Sequence, residues 1–412
     1  TPQLALNIGG TTVQANYASG SGTTALVFNY TILANQTDTN GISIASNSLA
    51  LNSGTILDLA GNAATITHNA VTDNASYLVD TTAPTLAITS NVSAVKAGET
   101  ATITFTFSED PGTTFVASDI VTTGGTLSSL TTTGTTRTAT FTPTTNTEAT
   151  ASITVASGAY TDAAGNNGGA GTTPTLTVDT KAPTVSSVAI TGATGALNST
   201  LNAGDVVAVT VTMSEAVTVS GTPQLALNIG GTTVQASYVS GSGTTALVFN
   251  YTILANQTDT NGISIASNSL ALNSGTILDL AGNAATITHN AVTDNASYLV
   301  DTTAPTLAIT SNVSAVKAGE TATITFTFSE DPGTTFVASD IVTTGGTLSS
   351  LTTTGTTRTA TFTPTTNTEA TASITVASGA YTDAAGNNGG AGTTPTLTVD
   401  TKAPTVSSVA IT

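Results

Sequence analysis

Long stretches of the chain alternate apolar and polar residues with a period of two. Residues 101–107 (ATITFTF) alternate apolar side chains with threonines, and residues 206–213 (VVAVTVTM) place large apolar side chains at every second position. β-Branched and aromatic residues in this pattern are typical of antiparallel strands that bury one face. Glycine-rich turns such as 123–126 (TGGT) separate the strands, and no stretch shows helical periodicity. The pattern predicts an all-β protein.

The chain repeats itself over a long period. The sequence TPQLALNIGGTTVQA at Thr1 returns at Thr222, and only two positions differ from there to the C-terminus. Such a period exceeds the repeat of ordinary solenoids, so it indicates a tandem array of whole domains.

A short segment with the pattern Asp-Thr-x-Ala-Pro divides each period again, beginning at Asp80, Asp179, Asp301 and Asp400. Proline fixes φ and biases the residue before it toward extended geometry, which suits a stiff joint between folded modules. About seven short strands in roughly 100 residues is typical of an immunoglobulin-like sandwich. We therefore expect an elongated rod of antiparallel β-sandwiches of two alternating types, called A and B.

The expected modules follow from these joints and from the long repeat. They are an incomplete A module at 1–80 that lacks its first two strands, a B module at 85–180, an A module at 184–301, a B module at 306–401, and the first strand of a further A module at 405–412. We expect such a chain to be a segment of a longer array.

Composition narrows the functional classes. Only 7% of residues are charged, the net charge is −18 and the mean hydropathy is +0.23. An acidic, base-poor surface argues against nucleic acid and against anionic membranes, and the apolar content argues against disorder. There is no cysteine, and no apolar run approaches the ~20 residues of a membrane helix. An extracellular bacterial protein without membrane insertion in this segment is expected.

Sandwich topology gathers carboxylates at the joints. If strands run alternately, the end of the second strand, the loop before the last strand and the incoming linker meet at one pole. The sets are Asp80, Glu109 and Asp162; Asp179, Glu215 and Asp279; and Asp301, Glu330 and Asp383. Further candidates are Asp110 and Asp331 beside two of the glutamates, Glu99 and Asp205 in turns that could reach the next joint, and Asp58 and Asp400 at the outer copies of the loop and the linker.

Three or four carboxylates that converge in this way repel one another unless a cation lies between them. Ca²⁺ accepts irregular cages of carboxylate and carbonyl oxygens. The motif Asp-x-Ala-Gly-Asn, at Asp162 and Asp279, fits a turn that points such oxygens inward. We therefore predict Ca²⁺ at the joints; the alternative is a set of solvated loop acids in Asx turns.

Other chemistry has less support. His68 and His289 occupy the same position in two copies, so the sequence offers no second kind of histidine for a zinc site. A Ser-His-Asp triad is formally available, but His68 lies at the end of a threonine-rich strand, and we expect no enzyme. Arg137 and Lys96 are expected at the surface, and Asp119 is expected to be a turn residue.

Several short motifs resemble the bacterial immunoglobulin-like extender repeats of giant cell-surface adhesins, especially those of RTX type. They are 108–109 (SE), 115–120 (FVASDI), 124–127 (GGTL), 162–166 (DAAGN) and 179–183 (DTKAP). The resemblance implies extracellular spacer domains in adhesion or biofilm proteins, often stiffened by Ca²⁺ at their linkers.

The function expected from the sequence is a spacer whose partners are the neighbouring repeats of the same array. The alternative is a self-assembling filament, sheath or surface layer, in which edge strands pair between copies. A carbohydrate-binding module would need exposed aromatic platforms, and the chain has no tryptophan and only 4% aromatic residues.

Overall fold

The structure is a computed structural model that describes residues 1–411. Apart from two 3₁₀ turns, its regular elements are strands, which confirms the all-β prediction. The chain divides into two compact halves, Thr1–Lys181 and Ala182–Thr412, and each is described by itself. Across residues 1–411, no helix has both the length and the apolar character that a bilayer crossing requires.

The first half contains strands β1 to β15 and one 3₁₀ turn at Ala117–Asp119. Residues 1–80 form β1 (Gln3–Ile8), β2 (Thr11–Ser19), β3 (Val27–Asn29), β4 (Thr37–Asp38), β5 (Leu49–Ala50) and β6 (Val79–Asp80). Residues 85–180 form β7 (Leu86–Ser90), β8 (Ala94–Lys96), β9 (Ala101–Phe107), β10 (Ile120–Thr123), β11 (Gly125–Leu127), β12 (Thr136–Pro143), β13 (Glu148–Val155), β14 (Gly171–Thr172) and β15 (Leu176–Asp179).

The second half contains strands β16 to β34 and a 3₁₀ turn at Ala338–Asp340. Residues 184–301 form β16 (Val185–Thr194), β17 (Thr200–Leu201), β18 (Val206–Ser220), β19 (Gln224–Ile229), β20 (Thr232–Ser240), β21 (Thr244–Thr252), β22 (Thr258–Asp259), β23 (Leu270–Ala271), β24 (Thr276–Asp279) and β25 (Leu299–Asp301). Residues 306–401 form β26 (Leu307–Ser311), β27 (Ala315–Lys317), β28 (Ala322–Phe328), β29 (Ile341–Thr344), β30 (Gly346–Leu348), β31 (Thr357–Pro364), β32 (Glu369–Val376), β33 (Gly392–Thr393) and β34 (Leu397–Asp400).

Each B module is a sandwich of two sheets. In the first B module the orders are β11-β12-β9-β7 and β10-β13-β15-β8, with β14 beside β13. The register of β9 against β12 pairs Thr104 with Thr138 and Ile103 with Ala139. Threonines therefore share the outer face, while Ile103 and Phe105 are fully buried between the sheets. This arrangement is the physical basis of the alternation in the sequence.

The complete A module is built around the long strand β18. Its main sheet runs β16-β18-β21-β20-β19-β23, with β24 also paired to β18, and a second sheet runs β17-β25-β22. Val207, Val209 and Val211 of β18 are fully buried in the core. The register with β21 shifts between Thr212 and Val217, so Glu215 lies in an irregular part of the strand.

The A module at 1–80 has a smaller core. Its sheets are β3-β2-β1-β5 and β4-β6. Leu26 is 36% exposed, whereas Leu247, its counterpart in the complete module, is fully buried. In the second half β18 covers this position, and residues 1–80 contain no counterpart of β18.

Residues 405–411 differ from the prediction, because they form no strand in this structure. Val406 and Val409 are 82% and 89% exposed. The identical residues that begin at Val185 form β16 because they pair with β18. No counterpart of β18 follows residue 405 in this chain, so the segment has no such partner. Thr412 lies outside the described residues.

The expectation of a surface position for Arg137 is wrong. Its side chain is fully buried and donates hydrogen bonds to the carbonyl oxygens of Phe115 (3.1 Å) and Gly112 (2.7 Å) and to Oδ1 of Asp110 (3.0 Å). Its guanidinium carbon also lies 5.8 Å from the ring centroids of Phe107 and Phe115. Arg358 makes the same contacts in the second half. Lys96, by contrast, is partly exposed, 3.9 Å from Glu99.

We expect Arg137→Met to destabilise the first B module by about 3 kcal/mol, because it leaves buried carbonyl oxygens without a donor. The second B module is unchanged, so calorimetry of the full chain should show only one of the two B modules unfolding at a temperature lower by roughly 10 °C or more. Lys96→Met, as a surface control, should change stability by less than about 0.5 kcal/mol. A displacement of the same size for both variants would show that the buried arginine is not a structural anchor.

Candidate metal centre

The linker that follows β6 is fixed by hydrogen bonds along its length. Oδ1 of Asp80 accepts a hydrogen bond from the amide of Thr82 at 2.9 Å. The carbonyl oxygen of Pro84 accepts one from the amide of Gly169 at 2.9 Å, and the amide of Thr85 donates to Oγ of Ser108 at 2.9 Å. The carbonyl group of the proline and the amide of the residue after it are therefore both held by residues of the B module.

The loop 162–166 is closed by its own first and last residues. Oδ1 of Asp162 accepts from the amide of Asn166 and Oδ2 accepts from Nδ2 of Asn166, both at 2.8 Å. The same Nδ2 donates to the carbonyl oxygen of Asp80 at 3.0 Å. Asn166 thus ties the loop of the B module to the linker that enters it. Asn387 repeats both contacts with Asp383 and Asp301.

Two of the predicted sets of three carboxylates are gathered within single halves. One oxygen each of Asp80, Glu109 and Asp162 lies within 4.8 Å of the others, and the same holds for Asp301, Glu330 and Asp383. Oxygens that share one Ca²⁺ at about 2.3–2.6 Å can be at most about 5 Å apart. The spacing therefore fits three ligands around a single ion.

Burial and mutual repulsion act on the glutamate of each set. Burial raises the pKa of Glu109, and the negative charges of Asp162 and Asp80 raise it further. The pKa of Glu330 is raised in the same way by burial, by Asp383 and by Asp301. A cation would remove this penalty, because it favours the ionised glutamate.

The aspartate inside the loop is shifted in the opposite direction. Burial alone would raise the pKa of Asp162, but hydrogen bonds from the side chain and amide of Asn166, with those of two further loop amides, hold it below its ordinary value. The pKa values of Asp162 and Glu109 are therefore shifted in opposite directions, and of these two residues only the glutamate has its ionised form disfavoured.

The set of Asp179, Glu215 and Asp279 is divided between the two halves, so its convergence stays a prediction. Asp179 ends β15 and its Oδ1 accepts from the amide of Lys181 at 3.2 Å. Asp279, 2% exposed, closes its loop as Asp162 does, with Nδ2 of Asn283 at 2.8 Å from its Oδ2. Glu215 lies within β18.

The neighbours of the two glutamates have another role. Oδ1 of Asp110 lies 3.0 Å from Nη2 of Arg137, and Oδ1 of Asp331 lies 3.0 Å from Nη2 of Arg358. The pKa of both aspartates lies below the ordinary value, chiefly because the amides of Gly112 and Gly333 donate hydrogen bonds to them. The arginine partners lower it further. Asp110 and Asp331 are therefore paired with the buried arginines and belong to neither gathered set among the described residues.

The remaining predicted ligands are engaged within their own turns. Glu99 accepts from the amide of Lys96, and Asp205 accepts from the amide of Asn202. Asp58 closes its loop with Asn62, and Asp400 accepts from the amide of Lys402. None of these four belongs to a gathered set among the described residues.

Comparison with known proteins supports the fold. Residues 80–178 and 301–405 match the family model described as a bacterial Ig-like domain. The two B modules are therefore immunoglobulin-like sandwiches of a bacterial type, as predicted. No curated protein matches the sequence. The narrower resemblance to RTX-type adhesins stays a prediction.

The chain is also similar to several solved structures. The I9–I11 tandem from titin is 9% identical, with 77% of this chain and 97% of that chain covered and a TM-score of 0.24. Adhesin InvE of Yersinia pseudotuberculosis is 14% identical (69% and 74% covered, TM-score 0.20). Surface layer protein SbsC, domains 1–6, is 14% identical (78% and 55% covered, TM-score 0.18). At these TM-scores the likeness carries no argument about this chain.

We expect the pKa of Glu109, in chelator, to lie above the ordinary 4.5 and to fall in Asp80→Asn, which removes one nearby negative charge. Glu330 serves as the internal control because its own neighbours are unchanged. The measurement is a ¹³C NMR titration of glutamate carboxyls, assigned with Glu109→Gln and Glu330→Gln.

The sign of the stability effect follows from the same shift. The folded protein binds the Glu109 proton more tightly than the unfolded chain does, so this stability is present below pH 4.5 and is lost as pH rises through the folded pKa. A Glu109 titration at or below 4.5, unmoved by Asp80→Asn, would show that the three carboxylates do not interact.

Proposed function

We propose that this chain is an extender segment of a large extracellular bacterial surface protein, and that Ca²⁺ bound at its joints makes it stiff. The observation that carries the proposal is the recurrence of one arrangement, in which a linker aspartate, a strand-end glutamate and a loop aspartate converge in both halves. The three residues of each set matter together, because they come from two adjacent modules.

The donors favour calcium over softer ions. Every candidate ligand is a carboxylate oxygen, which suits a hard cation. The histidines are placed elsewhere, since Nε2 of His289 accepts from the amide of Ser269 at 2.9 Å and Nδ1 lies 2.8 Å from the carbonyl oxygen of Asn290. A zinc site would need such a ring nitrogen to be free.

The ion would act as a mechanical link. Asp80 ends β6, which pairs with β4 of the A module, whereas Glu109 and Asp162 belong to the B module. An ion that all three bind connects a strand of one sandwich to the pole of the next. Without the ion, repulsion among the carboxylates favours separation of the two modules. Stiffness would therefore depend on calcium concentration.

A repetitive spacer explains why the copies are nearly identical, because length and stiffness require no distinct site in each module. The low charge and the threonine-covered sheet faces suit an exposed structural protein rather than an enzyme. The family of the B modules supports a bacterial origin, and a cell-surface or secreted-matrix location is part of the proposal.

Calcium should bind and stabilise the wild-type chain, while Glu109→Gln and Glu330→Gln should each remove one bound ion in a calorimetric titration. At a free concentration 100 times the Kd, one ion adds about 2.7 kcal/mol to the free energy of unfolding. Glu148→Gln and Glu369→Gln are matched controls on the exposed starts of β13 and β32, and they should retain every ion. An absence of both binding heat and thermal stabilisation in the wild type would contradict the proposal.

Self-assembly into a filament or surface layer is the second candidate, and exposed apolar side chains favour it. Leu59 is 99% exposed, Tyr77 64%, Val406 82%, Val409 89% and Ile411 102%. Exposed apolar side chains of this kind are typical of surfaces that pair between copies.

The extender proposal predicts a monomer by multi-angle light scattering, with or without calcium. Growth of ordered polymers with concentration would instead favour the filament. In that case Val409→Lys, which places a charge in the exposed segment, should block the growth.

A further inference from the structure

One hairpin of the complete A module reaches the loop of the following B module. Leu197 and Thr200 exchange both backbone hydrogen bonds at 2.9 Å, and the two residues between them have φ of 50° at Asn198 and 64° at Ser199. Positive φ at both central residues is the conformation of a type I′ turn, which asparagine adopts more readily than most residues. The sequence at this point therefore sets the direction in which the hairpin tip projects.

Two asparagine side chains of this hairpin donate to the loop 383–387. Nδ2 of Asn198 lies 2.9 Å from the carbonyl oxygen of Ala384, and Nδ2 of Asn202 lies 3.0 Å from that of Ala385. The backbone amide of Asn202 is held by Oδ2 of Asp205 at 2.8 Å. Asp205, predicted as a metal ligand, instead fixes the residue that contacts the loop.

The same loop exists in the first half without this hairpin, because no counterpart of 197–202 precedes residue 80 in the sequence. Ala385 is 4% exposed, whereas the identical Ala164 is exposed. A Cβ added at Gly386 would lie 3.1 Å from Nδ2 of Asn202, and one added at Gly165 would meet nothing within 4 Å. Two loops of one sequence therefore differ in what covers them.

We propose that Asn198 and Asn202 form a clamp that holds the loop 383–387 against the preceding A module and needs no cation. The neutral amide donors reach neutral carbonyl oxygens, so the contact does not depend on the charge of Asp301, Glu330 or Asp383. In chelator the joint that contains the clamp stays ordered, while the first joint loosens.

The clamp also acts on the cation site, and this part rests on the proposed function. The carbonyl oxygens of Ala384 and Ala385 belong to the loop that positions the Asp383 carboxylate. Groups that orient the residues of a metal site, without touching the ion, change metal affinity about 10- to 100-fold. Asn198 and Asn202 are thus positioning residues, and the clamped site should bind Ca²⁺ more tightly than the first site.

The test uses spin labels in the full chain, which contains no native cysteine. Cysteines at Thr233 and Thr347 report the clamped joint, and cysteines at Thr12 and Thr126, the identical exposed positions of the first half, report the unclamped joint. Double electron–electron resonance gives a distance distribution for each pair. In chelator we expect the distribution to be narrower for the clamped joint.

The double variant Asn198→Gly with Asn202→Ala removes both donors, and glycine tolerates the positive φ at position 198. It should broaden the clamped joint to the width of the first joint, leave the first joint unchanged and weaken Ca²⁺ binding at the clamped joint about tenfold. Asn202→Asp, which keeps the shape and removes the donor, should broaden the same joint. Circular dichroism verifies that each variant is folded.

Equal widths at the two joints in chelator, or an unchanged width in both variants, would overturn the clamp. A narrow clamped joint in a chain that binds no Ca²⁺ would support the clamp and reject the proposed function. Calcium binding without any difference in width would do the reverse. The two proposals therefore fail separately.

Discussion

The central constraint on this structure is the crowding of three carboxylates at the point where two sandwiches meet. One oxygen of each lies within 4.8 Å of the others, and they come from a linker, a strand end and a loop. Hydrogen bonds between Asn166, Asp162 and the backbone of Asp80 prevent the acids from moving apart freely. The result is a concentration of negative charge in a chain with few charges elsewhere, and a cation is the simplest means of neutralising it.

Two kinds of contact connect adjacent modules at the joints. In the proposed function the carboxylates respond to calcium, and the raised pKa values of Glu109 and Glu330 make them respond to pH as well. The amide contacts of Asn198 and Asn202 respond to neither.

Much of the fold could be predicted from the sequence because a strand with one buried face must alternate. The same alternation contained a signal that was missed: Arg137 has the parity of Ala139 and Phe141 in β12, both of which point inward. Two of the acidic sets could be predicted because topology alone decides which strand ends share a pole. The roles of Asp110 and Asp205 could not, because they depend on a buried arginine and on a hairpin tip. Residues 405–411 show that alternation does not make a strand when the partner strand is missing.

The most direct test of the central claim is a crystal structure of the chain grown with saturating calcium, with anomalous scattering used to identify the ion. The account predicts one calcium within about 2.3–2.6 Å of carboxylate oxygens of Asp80, Glu109 and Asp162, and a second bound in the same way by Asp301, Glu330 and Asp383. Maps without an ion at either position, with the three side chains turned toward bulk solvent, would contradict it.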